Sequence, residues 1–331
     1  DGPEVVENGA VVDFFSRLDT PLPLRVYPTD DQTIHRLVVS RPRAESVFFL
    51  DTLHPRFWIL HTIDPAHEAE QVVRTLVHRT SFLDACWFPS QHLLEWSREA
   101  GVTRSLTAKF ATPSLLYREH IDEEAFLNDS LYMRIGSRGD ARARWQEIAA
   151  SHELLASQLA LWSAKVVRHL EDSDATVVTD ITANGKFTSR GTSFRLHSEI
   201  LSRLRTRYSE LISDWETRYR LAWQRRESGL VPSGSTAVLR FASPKSPDEL
   251  DQLVARMFNS AEPFRLFGIA VRQGSSRVTV RGVDLHAGGK IDFELTPAFI
   301  RCYLHPTTCG NVLARLLTNL QHFVDARINL D

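Results

Sequence analysis

Cysteine and lysine are both scarce in this chain. Three cysteines in 331 residues, at 86, 302 and 309, cannot build a disulfide framework. A stapled secreted scaffold is therefore excluded, and a reducing, cytoplasmic setting is expected. No apolar run approaches the roughly 18 residues that a spanning helix needs, and Phe57 to Ile63 is only strand length. A formal charge of -2 leaves no polybasic arm or acidic tail to organise binding. The phosphate-loop, dinucleotide, hydrolase-elbow, zincin and kinase signatures are all missing, so no cofactor is expected. Gly288-Gly289-Lys290 precedes a strand rather than a helix and reads as a hairpin turn. The chain opens on Asp1 without Met, which keeps a removed leader compatible with the sequence.

What is present is an ordinary globular composition, 43% hydrophobic and 24% charged, in a chain long enough for two or three domains. The expected fold is a multi-domain α+β protein. Residues 1–137 read as a mixed α/β domain, with strands near Val47–Leu50 and Arg56–Ile63 and a helix opened by Pro65. Residues 138–228 carry seam residues at alternating three and four spacing: Trp145, Ile148, His152, Leu155, Leu159, Trp162, Val166 and His169. A second series runs Phe194, His197, Leu201, Leu204, Tyr208, Leu211 and Trp215. A seven-residue repeat on two segments predicts a long antiparallel helical hairpin, coiled-coil-like, each arm on the order of 40 Å long. Asn184-Gly185 between β-branched runs predicts a β-hairpin over 176–190 at its tip. Residues 236–331 read as an α+β sandwich of loosely ferredoxin-like form.

Five lysines (109, 165, 186, 245 and 290) stand against 34 arginines. A GC-rich genome produces such a bias without function; a demand for guanidinium forks toward phosphate produces it too. Arg134, Arg138 and Arg142 fall at spacings of four, and Arg203, Arg205 and Arg207 cluster on the second arm. These six are the candidate nucleic-acid or partner contacts, with solvated helix faces as the competing account.

Two further clusters could carry chemistry. Asp284, Lys290, Asp292 and Glu294 could form a nuclease-like carboxylate and lysine set, because alternation puts Lys290, Asp292 and Glu294 on one strand face. Cys302, His305 and Cys309 have zinc-type donors but lack a local fourth ligand. His169 and His197 would meet near the hairpin tip, close to Glu171, Asp172, Asp174 and Asp180, as a metal or proton-switch site or as polar register-setters in the seam.

Together these features predict a non-enzymatic, macromolecule-binding or scaffold subunit of a bacterial multi-component assembly, in genome maintenance or phage defence. Its protein partner would engage the helical hairpin, and nucleic acid the arginine faces; no membrane is involved. The rivals are a metal-dependent nuclease built on the C-terminal carboxylates and a pure protein scaffold without nucleic-acid affinity.

Overall fold

The computed structural model describes residues 8–41, 44–79, 82–111, 131–170, 173–226, 229–274 and 276–331. The chain forms two compact units, Asp1–Ala85 and Cys86–Asp331.

In the first unit, helix α1 (Asn8–Arg17) leads into a four-stranded antiparallel meander: β1 (Leu24–Pro28), β2 (Ile34–Ser40), β3 (Glu45–Asp51) and β4 (Ile59–His61). Helix α2 (Ala66–Arg79) starts immediately after Pro65, whose missing N–H costs nothing at a helix entry. Val11 and Phe15 of α1, Leu37, Val39, Phe48 and Leu50 of the sheet, and Val72 and Leu76 of α2 form one buried core. These strand residues sit two apart, so one pleated face faces the helices.

The second unit contains two larger sheets. Helix α3 (Ser90–Ala100) precedes β5 (Val102–Phe110) and β6 (Tyr132–Gly136), then α4 (Ala141–Ser151) and the single-turn α5 (Glu153–Ala156). Strands β7 (Leu159–His169), β8 (Thr176–Thr182) and β9 (Phe187–Gly191) complete an antiparallel sheet in the order β6-β5-β7-β8-β9. The 26-residue α6 (Phe194–Tyr219) follows, capped by Ser193, whose hydroxyl accepts from the Leu196 N–H at 3.3 Å.

A two-stranded ribbon, β10 (Ala222–Arg226) with β11 (Gly229–Ser233), leads to β12 (Ala237–Arg240) and α7 (Pro247–Met257). Helix α7 opens on a full capping box between Ser246 and Glu249. Strands β13 (Leu266–Gln273), β14 (Arg277–Asp284), β15 (Lys290–Leu295) and β16 (Phe299–Leu304) form a meander. After α8 (Asn311–Phe323), β17 (Asn329–Leu330) closes a sheet ordered β13-β14-β15-β16-β12-β17.

Helix α8 is buried at all 13 of its positions, and three of its polar residues reach three different elements. Asn311 accepts from the Tyr208 hydroxyl of α6, Arg315 pairs with Asp284 of β14, and Gln321 accepts from the Ser90 N–H of α3 at 2.9 Å. Buried polar groups are stable only when partnered, so these bonds fix the register of α8 within the second unit.

Three features correct the sequence-based fold. The helical hairpin is absent among the described residues: the first arm breaks into α4, α5 and strand β7. His152 takes a non-helical conformation (φ -136°, ψ 63°) and ends α4. From Leu159 onward the residues form a central strand in which Leu159, Ala160, Leu161, Ala164 and Val166 are buried. A near-continuous apolar run of that kind imitates helical spacing, which periodicity alone cannot separate. Accordingly α6 has no antiparallel partner arm and packs on the sheet and α3, and the Asn184-Gly185 turn joins β8 to β9 inside that sheet. Finally, the C-terminal sheet is not ferredoxin-like. Strand β12 inserts antiparallel between β16 and β17, as in a split βαβ unit, but the sheet has six strands, and the β13–β16 meander extends it beyond the four of a ferredoxin-like sheet.

Candidate functional site

Alternation along β7 divides the five-stranded sheet into two unlike faces. Ala164, Val166 and Arg168 point one way, and the Arg168 guanidinium meets Glu199 of α6 at 3.1 Å, which marks the helix-covered face. Ser163, Lys165 and Val167 point the other way. Cross-strand register extends this second face in rows, since directly paired residues share a side. One row runs Arg134, Thr107, Ser163 and Thr182; the next runs Gly136, Ser105, Lys165, Asp180 and Thr188. Arg190 follows Thr188 on the same side of β9, and Lys186 precedes it at the turn.

This face is polar and cationic. Its partly exposed hydroxyls are those of Thr107 and Thr188, with Ser105, Ser163 and Thr182 buried beneath, and its cations are Arg134, Lys165, Lys186 and Arg190. Asp180 is the acid among these rows, with its carboxylate 4.0 Å from Lys165 Nζ. One Arg134 nitrogen lies 3.5 Å from Ser105 Oγ, and Arg190 is exposed without an ion pair among the described residues.

Lys109 belongs to the same face, two residues beyond Thr107, but is 1% exposed. A bulge in the β5–β7 register at Trp162 lets the indole sit under the amine, with Nζ 3.7 Å from the ring centroid. His322, from the last turn of α8, meets the same indole edge-on at 5.3 Å. Burial, reinforced by the neighbouring Lys186, lowers the Lys109 amine from 10.5 to about 6. Burial, with Lys109 nearby, lowers His322 from 6.5 to about 3. Both groups are therefore neutral at pH 7, and the face presents four charged side chains against one carboxylate.

The sequence-derived candidates fare unequally. Arg134 lies on the cationic face. Arg138 is exposed in the loop before α4, and Arg142 folds back on the N-cap residue Asp140, its Nε 2.9 Å from the carboxylate. Arg203 donates to the Glu99 carbonyl at 2.7 Å, and Arg207 grips the Glu99 carboxylate with two nitrogens, each at 2.8 Å. These two arginines tie α6 to α3, and that engagement holds the Glu99 carboxyl below its ordinary range. Arg205 is half-buried on α6.

The carboxylate set does not converge. Asp284 points inward to Arg315, on the face opposite Asp292 and Glu294. Asp292 is bound by His305 Nε2 at 3.0 Å, and Glu294 by Arg277 and Arg301 at 2.9 and 2.7 Å; Lys290 is exposed. Cys302 is buried on the inner face, where burial pushes its thiol up, while His305 turns outward and Cys309 is half-buried. Among the described residues no three His, Cys, Asp or Glu side chains gather as a metal site. His169 ends β7, its Nδ1 2.8 Å from the Thr176 hydroxyl, and His197 lies on α6; Glu171 and Asp172 fall outside the described residues.

The sequence reading missed Lys109, Lys165, Lys186 and Arg190. The usable signal was the scarcity of lysine itself, because three of the five fall on one sheet. A codon bias toward arginine does not explain that grouping.

The model of the MJECL33-like protein family matches residues 17–331. The chain belongs to that family. It is 26% identical over 342 residues to the uncharacterized protein MJECL33 of Methanocaldococcus jannaschii, an alignment covering 93% of this chain and 80% of that protein. No solved structure matches the chain. Among the described residues of this MJECL33-like protein, no helix is long and apolar enough to cross a membrane.

Proposed function

We propose that this chain binds nucleic acid through its phosphates on the exposed face of the five-stranded sheet, as a non-enzymatic subunit of a larger assembly. The observation that carries the reading is the gathering of Arg134, Lys165, Lys186 and Arg190 among short hydroxyl side chains, on the sheet face opposite α6. Cations supply the affinity for phosphate, and the partly exposed Thr107 and Thr188 hydroxyls donate to phosphate oxygens without reading sequence. Tyr132, 58% exposed on the same side of β6, offers one ring for base stacking. A face this poor in aromatics favours backbone contact over base recognition. Three free cysteines suit a reducing, cytoplasmic setting for such a subunit.

The test is fluorescence anisotropy of labelled single- and double-stranded DNA and RNA, titrated at about 50 and 200 mM salt. Four phosphate contacts predict a log–log salt slope of about −3 to −4 on duplex DNA. The triple variant Arg134→Glu, Lys165→Glu, Arg190→Glu should bind at least tenfold more weakly, while Lys245→Glu, off this sheet, should bind as the parent does. Absence of binding at low salt would refute the reading.

A further inference from the structure

Strand β13 is the outer strand of the six-stranded sheet, and its outward side chains are apolar. Phe267, Ile269 and Val271 are 52%, 70% and 55% exposed. Edge strands ordinarily carry charge, proline or a bulge that discourages association, yet the run Leu266–Val271 contains neither charge nor proline. Register places Val283, Arg281 and Thr279 of β14 directly beside these three residues, and Lys290 beside Val283. Arg281 and Lys290 are exposed and make no ion pair among the described residues; the Asp292 carboxylate opposite Arg281 is held by His305. The result is an apolar stripe along one margin with two open cations one and two strands inward.

From this arrangement we infer that the outer β13–β14 face docks an amphipathic helix of a protein partner, with acidic residues bordering its apolar stripe. A helix fits better than an added strand. A strand paired to the β13 edge lies two strand spacings, about 10 Å, from Arg281. A helix laid over the sheet covers Phe267, Ile269 and Val271 with its apolar stripe while its flanking carboxylates reach the β14 and β15 cations. A second copy of the chain fits poorly, because the run Leu266–Gln273 supplies no acid and β14 brings Arg281 to the same face. This surface belongs to a different sheet from the proposed nucleic-acid face, so either proposal can fail alone.

The experiment uses the full chain and a fluorescein-labelled synthetic 18-residue helical peptide, leucines on one face and glutamates on its borders. A control peptide carries lysine in place of each glutamate. Saturable binding of the acidic peptide is expected, with at least tenfold weaker binding to Phe267→Ser/Ile269→Ser and to Arg281→Glu, and none of the lysine peptide. Both variants alter exposed side chains, and circular dichroism checks that they fold as the parent. Equal binding to parent and variants, preference for the lysine peptide, or no binding at about 100 µM would each overturn the proposal. So would a parent dimer in light scattering that Phe267→Ser/Ile269→Ser converts to monomer, since the face would then belong to a second copy.

Discussion

Lys109 is the residue whose chemistry departs furthest from its ordinary behaviour while remaining testable without a ligand. In the folded chain its amine holds a proton only below about pH 6, whereas in the unfolded chain it does so up to about 10.5. Between those values the unfolded state binds the extra proton, so stability rises with pH across the window and is lost as pH falls through it. Linkage caps the slope at about 1.4 kcal/mol per pH unit. Urea denaturation of the parent should therefore show a gain of up to about 2.7 kcal/mol between pH 7 and pH 9. Lys109→Met should flatten that rise, and an unchanged profile would contradict a buried, neutral amine. His322 acts in a lower window: its depressed value of about 3 costs stability as pH falls from 6.5 toward 3. The two groups stack about the same indole yet separate cleanly on a pH axis.

At the scale of elements, partnership decides what residue spacing alone does not. The run from Trp145 to His169 has helical spacing, but from Leu159 onward it is flanked by β5 and β8 and folds as their central strand. The run from Phe194 has the same spacing and is a helix, with Ser193 to cap it and the sheet to cover one side. The helix start at Pro65 and the Asn184-Gly185 turn were legible because each depends on neighbours in the chain; the pairing of β7 depends on residues far away in it. The turn is sharply specified. Gly185 has φ +76°, and a Cβ there would lie 2.5 Å from the Cys86 carbonyl oxygen. Gly185→Ala should destabilise the chain by 1 kcal/mol or more, about the cost of forcing a side chain into that conformation, read from the thermal midpoint. Helix α8 gives a complementary test. Arg315 and Asp284 are 1% and 3% exposed, so Arg315→Met strands a buried carboxylate and should cost roughly 3–5 kcal/mol. Arg315→Met with Asp284→Asn should cost distinctly less, because no unpaired charge remains.

At the scale of the whole chain, only Arg134 of the four cations in the candidate site was legible. Arg134 was picked out by its spacing to Arg138 and Arg142, and it stands on a strand beside Thr107 and Ser105. Arg203 and Arg207 looked free in sequence because Glu99, which binds them both, lies over 100 positions away. Lysines 109, 165 and 186 belong to three separate segments, and only the sheet register brings them together. Every residue of that cationic face lies after position 85, where the contacts divide the chain. The first unit has its own buried core of Val11, Phe15, Leu37, Val39, Phe48, Leu50, Val72 and Leu76, and the second has buried residues of its own. The fragment Cys86–Asp331 is thus expected to unfold cooperatively by itself and to bind labelled single-stranded DNA within about threefold of the full chain. Because the slope of log K against log salt counts phosphate contacts, it should be the same for both. A shallower slope in a folded fragment would mean that residues 1–85 supply phosphate contacts of their own, and the sheet face would then be one part of a larger footprint.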